Sequence, residues 1–300
     1  MNRFKYILYT LFAIALVYPL YRFCHHRTDG FTPRKIRTAF VDESIPHLSS
    51  NPTTYELDVV KKILDQPLKY IGRGGQCYAF ATSDGKYVIK LLKYNNNYPK
   101  IWFRLFPFPL GFETYRQELI SKKTEKLKIE YESYRIALKD LRQETGILYV
   151  HLDKGTLPDV HLELFDKINV HHVLFADSFQ FYIQKKGVPF YPRLLDFVKS
   201  GKLEEAKKAL DELSFYLIKR CRKKITDKDA GIWRNFAFYK NHPFQIDIGQ
   251  FSIDDSLVSQ ENYTQNLLSF TRGFRAWLEN LNPSLAEHFN QSLTLSEQSL

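Results

Sequence analysis

Apolar residues recur with two different periods along this chain, and the changes of period mark out its elements. From Lys69 to Leu92 the pattern is that of short strands. Lys69-Tyr70-Ile71, Tyr78-Ala79-Phe80-Ala81-Thr82 and Lys86 to Leu92 are joined first by a glycine cluster and then by Asp84-Gly85. Asp and Gly both tolerate the positive φ that a two-residue hairpin turn needs. In the third strand Val88, Lys90 and Leu92 share one face, and Tyr87, Ile89 and Leu91 the other. A helical period follows from about Glu118 to Glu144, where Leu127, Tyr131, Tyr134, Leu138 and Leu141 form one stripe. At about 100° per residue, Glu130 falls beside that stripe and Glu132 well away from it. Val170 to Phe175 and Phe179 to Gln184 read as strands, and Leu203 to Cys221 as a helix with apolar positions at 203, 206, 210, 213, 217 and 221. Phe236 to Tyr239 and Phe244 to Asp247 flank the turn residues Lys240 to Pro243, which predicts a short hairpin. Tyr263 to Leu281 is the last good helix in the pattern.

The N-terminus reads differently. Tyr6 to Phe23 is dominated by Ile, Leu, Phe, Ala, Tyr and Val, and at about 1.5 Å per residue it spans ~27 Å, enough to cross a bilayer. The Ala-x-Ala at Ala13 to Ala15 lies inside the run, where cleavage would leave too short a core, so an uncleaved anchor is favoured over a signal peptide. Charge then gives an orientation. Residues 1–37 hold seven Lys or Arg against Asp29, which is +6 of the chain's +10. Arg22, Arg27, Arg34, Lys35 and Arg37 fall at or beyond the end of the run, which predicts a single-pass membrane protein with its C-terminal bulk in the cytosol and membrane lipids as partners. The remaining +4 is spread over the rest of the chain, so nucleic acid is disfavoured as a partner. Three cysteines, Cys24, Cys77 and Cys221, make neither a disulfide framework nor a metal-binding pair and suit a reducing compartment.

Two separated stretches carry candidate chemistry. In the first, Gly72, Gly74 and Gly75 allow backbone N–H groups close to phosphate oxygens, and Lys90 on the adjoining strand supplies a cation for the α and β phosphates. In the second, the predicted hairpin brings Asn235 and Asp247 to neighbouring ends, where an amide oxygen and a carboxylate are hard ligands suited to Mg²⁺. Other features have plainer readings. His151, His161, His171 and His172 need no metal, and the aromatic, cationic stretch from Asn95 to Phe112 is expected to pack over the strands.

In this order the motifs resemble those of the protein-kinase-like superfamily, over roughly residues 56 to 260. Gly72, Gly74 and Gly75 match the glycine-rich loop and Val88-Ile89-Lys90 the Val-Ala-Ile-Lys strand. Asp227-Lys228-Asp229 stands for His-Arg-Asp, Asn235 for the catalytic-loop asparagine, and Asp247-Ile248-Gly249 for Asp-Phe-Gly. The resemblance implies an α+β, bilobal protein-kinase-like fold, here with an N-terminal transmembrane helix. Residues 1–27 would be the anchor and its basic flank, 28–55 a linker, 56–184 a small β-rich lobe with a helix, and 185–300 a mostly helical large lobe with the catalytic and metal loops. It also implies an ATP-dependent phosphotransferase using Mg²⁺, with Asp229 as base toward a hydroxyl acceptor and Glu130 holding Lys90. A short region after Gly249 without an Ala-Pro-Glu platform points away from protein substrates and leaves small-molecule, sugar or lipid-linked acceptors, of which the membrane anchor favours the lipid-linked one. Three departures are Cys77 in place of the third glycine, Asp227 in place of histidine, and one extra residue between Asp229 and Asn235. They keep open a catalytically impaired pseudokinase that acts as a nucleotide-binding or interaction scaffold.

Overall fold

The computed structural model describes residues 2–37, 52–93, 113–229 and 231–298. In chain order the helices are α1 (Asn2–Arg27), α2 (Pro33–Ile36), α3 (Thr54–Leu64), α4 (Glu113–Asp140), α5 (Arg142–Thr145), α6 (Phe190–Lys199), α7 (Leu203–Arg222), α8 (Ile232–Asn235), α9 (Gln260–Leu281) and α10 (Pro283–Gln298). The strands are β1 (Leu68–Arg73), β2 (Cys77–Thr82), β3 (Tyr87–Leu92), β4 (Ile147–His151), β5 (His161–Phe165), β6 (His171–Phe175), β7 (Phe181–Lys185), β8 (Val188–Pro189), β9 (Ile225–Asp227), β10 (Phe236–Tyr239), β11 (His242–Gln245) and β12 (Phe251–Ile253). The chain is mixed α+β and divides into two compact units. Among the described residues the first holds 2–37, 52–93 and 151–181, and the second holds the rest. The helix carrying Glu130, expected with the small lobe, belongs to the second unit.

In the first unit the strands lie in the order β3-β2-β1-β5-β6. The β1–β2 pair is antiparallel and shifts register between Tyr70 and Gly72, so the strand is bulged where the glycine cluster begins. Strand β5 runs parallel to β1, and β6 antiparallel to β5. Leu68, Phe80, Ile89, Leu91, Leu162 and Leu164 are fully buried in this sheet. Thr53 and Glu56 form a reciprocal capping box at the start of α3, which buries Val60, Ile63 and Leu64.

Residues 28–37 do not behave as the linker the composition suggested. Phe31 is buried edge-on against Tyr78, Phe80 and His172, and Ile36 is fully buried. Asp29 accepts hydrogen bonds from Tyr70 Oη at 2.9 Å and Lys167 Nζ at 3.0 Å. Burying a Phe and an Ile stabilises the docked segment by roughly 1.5–3 kcal/mol each, which outweighs the polar composition around them.

The transmembrane expectation is corrected here. The segment is helical as α1, but among the described residues no helix is long and apolar enough to cross a membrane. The physical reason is in its composition: Arg22 lies within Tyr6 to Phe23, Pro19 sits inside the helix, and Tyr6, Tyr9, Tyr18 and Tyr21 bring hydroxyl groups into the run. The single-pass placement with a cytosolic C-terminal domain therefore falls. The aromatic stretch from Asn95 to Phe112 lies outside the described residues.

The second unit is built on α6, α7, α9 and α10. Phe190, Leu194, Leu210, Leu213, Leu217, Phe274, Leu278 and Phe289 are among its buried apolar residues. Helix α7 turns the predicted stripe inward from Ala206 to Cys221, while Leu203 at its first position stays 38% exposed. Helix α10 was not expected. It starts at Pro283, where a missing N–H costs nothing, and Asn282 Oδ1 accepts from Leu285 N at 3.1 Å. The predicted hairpin is present as β10–β11, with Ala237 opposite Phe244, and β8 adds to its outer side. Strands β9 and β12 form a separate pair. Helix α4 is one long helix to Asp140, and α5 after Leu141 ends at Gly146, whose φ of 61° is left-handed.

Candidate functional site

In the first unit the loop between β1 and β2 carries Gly72, Gly74 and Gly75. None of these glycines has a positive φ, and no atom among the described residues lies within 4 Å of a Cβ built on Gly72 or Gly75. At Gly74 such a Cβ would meet only Cys77 Sγ, at an ordinary 3.8 Å. Among the described residues neither backbone angle nor packing calls for glycine here, which leaves the backbone open to a close approach. Lys90 lies opposite Ala79 in the β2–β3 ladder, two residues from Leu92, which pairs with Cys77 at the foot of the loop. The third-glycine position is thus held by a strand residue. Lys93, which the sequence reading passed over, is buried at the end of β3 and donates from Nζ to the carbonyls of Gly74 and, at 3.5 Å, Gly75.

In the second unit Asp229, Asn235 and Asp247 belong to one hydrogen-bonded assembly. The β10–β11 hairpin sets Phe236 opposite Gln245, so the Asn235 carbonyl accepts from Ile246 N at 2.7 Å and Asp247 N at 3.4 Å. Asn235 Nδ2 donates to the Asp229 carbonyl at 3.0 Å. That bond ties the start of the Asp229-to-Asn235 segment to its end and leaves the oxygen end of the Asn235 amide for another role. Asp247 is exposed, and its Oδ1 accepts from Gly249 N at 3.3 Å. An amide oxygen and an exposed carboxylate on residues joined through the backbone are a donor pair whose chemistry fits Mg²⁺, which takes few protein oxygens and shares phosphate and water. No group of three or more His, Cys, Asp or Glu among the described residues forms a metal cluster.

Asp227 and Asp229 have different surroundings. The Asp227 carboxylate is 3% exposed and 3.6 Å from Arg220 Nη1. It accepts from Asp229 N at 3.0 Å and from Gln245 Nε2 at 2.5 Å. Burial pushes its pKa up, against the opposing effects of Arg220, the Asp229 amide and Gln245. Asp227 is thus a buried carboxylate engaged by Arg220, Gln245 and the Asp229 amide. Asp229 is half-exposed, and its Oδ1 accepts from Gly231 N at 3.3 Å and from Arg234 Nη2 at 3.1 Å.

Three buried polar groups that sequence reasoning missed hold this assembly. Gln245 donates from Nε2 to the Asp247 carbonyl at 3.0 Å as well as to Asp227, while its Oε1 accepts from Tyr216 Oη at 2.6 Å and Arg220 Nη1 at 3.0 Å. Arg220 is fully buried, with its guanidinium carbon 4.4 Å from the Phe270 ring centroid. Ser133 on α4 donates to the Ile248 carbonyl and accepts from Phe251 N at 2.7 Å. The Asp-Ile-Gly segment is thereby fixed at Asp247 by Gln245 and at Ile248 by Ser133.

No family model matches the chain, and no curated protein matches it. Among solved structures, the bifunctional kinase-methyltransferase WbdD is similar at 15% identity with a TM-score of 0.35, over 73% of this chain and 43% of that one. The same protein in complex with the kinase inhibitor LY294002 gives 14% identity and a TM-score of 0.36, over 75% and 45%. Rv3197 from Mycobacterium tuberculosis, in complex with erythromycin, gives 15% and 0.31, over 72% and 59%. The chain spans less than two thirds of each of these neighbours. Likeness at this level decides nothing about this chain, and the functional reading rests on its own residues.

Glu130 has the phase the sequence predicted: its side chain is 1% exposed, 3.7 Å from Lys126 Nζ, whereas Glu132 is at the surface with Arg135. Burial, opposed by Lys126 and reinforced by Asp247, raises the Glu130 pKa to about 7. A carboxyl raised from 4.5 to about 7 binds more protons folded than unfolded between those values, so it lowers stability as pH rises through that window. In metal-free protein Glu130→Gln should therefore exceed wild type by about 3 kcal/mol at pH 8, a difference that closes toward pH 4.5. Urea melts across that range test this, and a pH-independent difference would contradict it.

Proposed function

We propose that this chain is a kinase-like phosphotransferase that moves the γ-phosphoryl group of ATP to a hydroxyl acceptor. The observation that carries the reading is the single assembly of Asp229, Asn235 and Asp247, linked through the Asn235 amide and carbonyl and presenting an exposed carboxylate. Glycines 72, 74 and 75, which nothing among the described residues requires, support it from the other motif. Backbone amides of that loop and the Lys90 ammonium would position the phosphates. Asn235 and Asp247 would hold Mg²⁺, which when bound supplies positive charge to the β and γ oxygens. Asp229, with Oδ1 fixed by Arg234 and Gly231, would turn Oδ2 toward the acceptor hydroxyl and orient it or take its proton. With no helix long and apolar enough to cross a membrane among the described residues, the lipid-linked acceptor loses the anchor that favoured it, and a small-molecule or sugar hydroxyl is the class that remains.

A second reading has one specific observation in its favour. The Arg234 guanidinium on Asp229 partly neutralises the carboxylate a base needs, as in a nucleotide-binding scaffold without turnover. Release of ADP from MgATP, measured across sugar and small-molecule hydroxyl acceptors, separates the two. Turnover with any acceptor supports the transferase, and nucleotide binding without ADP release from any of them supports the scaffold.

A further inference from the structure

The glycine loop is held from beneath by a residue that the phosphotransferase reading leaves unused. Lys93 is 8% exposed and follows directly on β3. It engages three successive carbonyls: its Nζ donates to those of Gly74 and Gly75, and its backbone N donates to that of Gln76 at 2.8 Å. The Nζ also lies 4.5 Å from the Tyr78 ring centroid, on a π face that stabilises a cation with little water around it. Desolvation lowers the Lys93 pKa from its ordinary value. Burying an ammonium is costly unless its hydrogen bonds are met, and here the partners are loop carbonyls.

The direction of the amides follows from peptide geometry. None of the peptide bonds is cis. In a trans peptide the carbonyl of one residue and the N–H of the next point in opposite directions. Carbonyls of Gly74 and Gly75 turned toward Lys93 therefore turn the N–H groups of Gly75 and Gln76 the other way. No hydrogen bond among the described residues uses those two N–H groups. Successive N–H groups aimed to one side form a concavity that binds anions. The backbone there is also open: among the described residues a Cβ on Gly75 would meet nothing within 4 Å.

We infer that Lys93 is a positioning residue, a staple that fixes the glycine loop with the Gly75 and Gln76 amides presented to the phosphates of a nucleotide. This rests on the phosphotransferase reading and assigns the loop's conformation to a lysine other than Lys90. The test compares wild type, Lys93→Met, which keeps the apolar stem, and Lys93→Arg, which restores a donor. Amide hydrogen exchange over the 71–80 segment is measured without ligand, and affinities are measured for MgATP, inorganic tripolyphosphate and adenosine. Lys93→Met should speed exchange in that segment and weaken MgATP and tripolyphosphate by about tenfold or more, as loss of charge-assisted hydrogen bonds implies. Adenosine affinity should stay unchanged, and Lys93→Arg should recover most of the loss. Equal weakening of adenosine would reduce Lys93 to a general stabiliser and overturn the proposal. Unchanged exchange and unchanged MgATP affinity in Lys93→Met would overturn it too, leaving the phosphotransferase reading intact. A wild-type chain that binds none of the three ligands would overturn both.

Discussion

Replacing Arg220 with alanine is expected to cost about 3–5 kcal/mol of folding stability, the range for removing one partner of a buried ion pair. The guanidinium is fully buried, stacked on Phe270, and shares Gln245 with Tyr216. Without it the Asp227 carboxylate stays in the interior with hydrogen bonds but no cation. Its pKa, already raised by burial, should rise further. A carboxyl whose folded pKa lies above its unfolded value lowers stability as pH rises between the two, so the deficit of Arg220→Ala should shrink as the medium is acidified toward about pH 4. Pairing Arg220→Met with Asp227→Asn should recover much of the loss, because no buried charge then lacks a partner. Urea unfolding at pH 7 and pH 5 measures all three, and a loss below about 1 kcal/mol, the size of an exposed pair, would show that the cluster is not the interior ion pair described here.

Asp229→Ala should abolish transfer while leaving nucleotide binding nearly intact. A positioned base contributes on the order of 10²–10⁴ in rate, and that is the expected loss in kcat. The Asp229 carbonyl, which holds the Asn235 amide, survives the substitution, so the pair offered to the metal keeps its anchor. Removing the carboxylate also releases Arg234 and the Gly231 amide, at little cost in stability because the ion pair is partly exposed. A fall in kcat and kcat/KM together, with unchanged MgATP affinity, would place the interaction in the transition state. Wild-type turnover in the variant would remove Asp229 from the mechanism, and loss of nucleotide binding would make it a structural residue.

Short-range patterns were legible in the sequence and long-range polar partners were not. The β10–β11 hairpin, the inward phase of Glu130 and the helical stripe of α7 follow from periodicity and turn chemistry, which act over a few residues. Arg220, Gln245 and Ser133 read as ordinary polar residues, because Gln245 meets Asp227 across 18 positions and Ser133 meets Ile248 across 115. Lys93 carried no sequence signal, since nothing in a linear pattern says that a lysine caps carbonyls 18 and 19 residues earlier. A usable signal existed for Ser133: a small polar residue between Glu130 and Tyr134 on the buried side of an amphipathic helix needs a hydrogen-bond partner. Phe31 and Ile36 were hidden by the opposite effect, two apolar residues in a polar stretch too short to show a period. The N-terminal run misled because its tyrosines, Pro19 and Arg22 were read through the apolar residues around them.

The central claim is that the glycine-loop motif and the Asp-Ile-Gly motif serve one nucleotide, and calorimetric titration of MgATP into four proteins tests it most directly. These are wild type, Lys90→Ala, Asp247→Ala and the double variant. The account predicts that wild type binds only when Mg²⁺ is present, and that each single change weakens binding. It also predicts that the double change departs from the sum of the two by about 0.5–3 kcal/mol, because both groups act on the same phosphates. Losses that add with no such departure, or a wild-type chain that takes up no nucleotide, would contradict it.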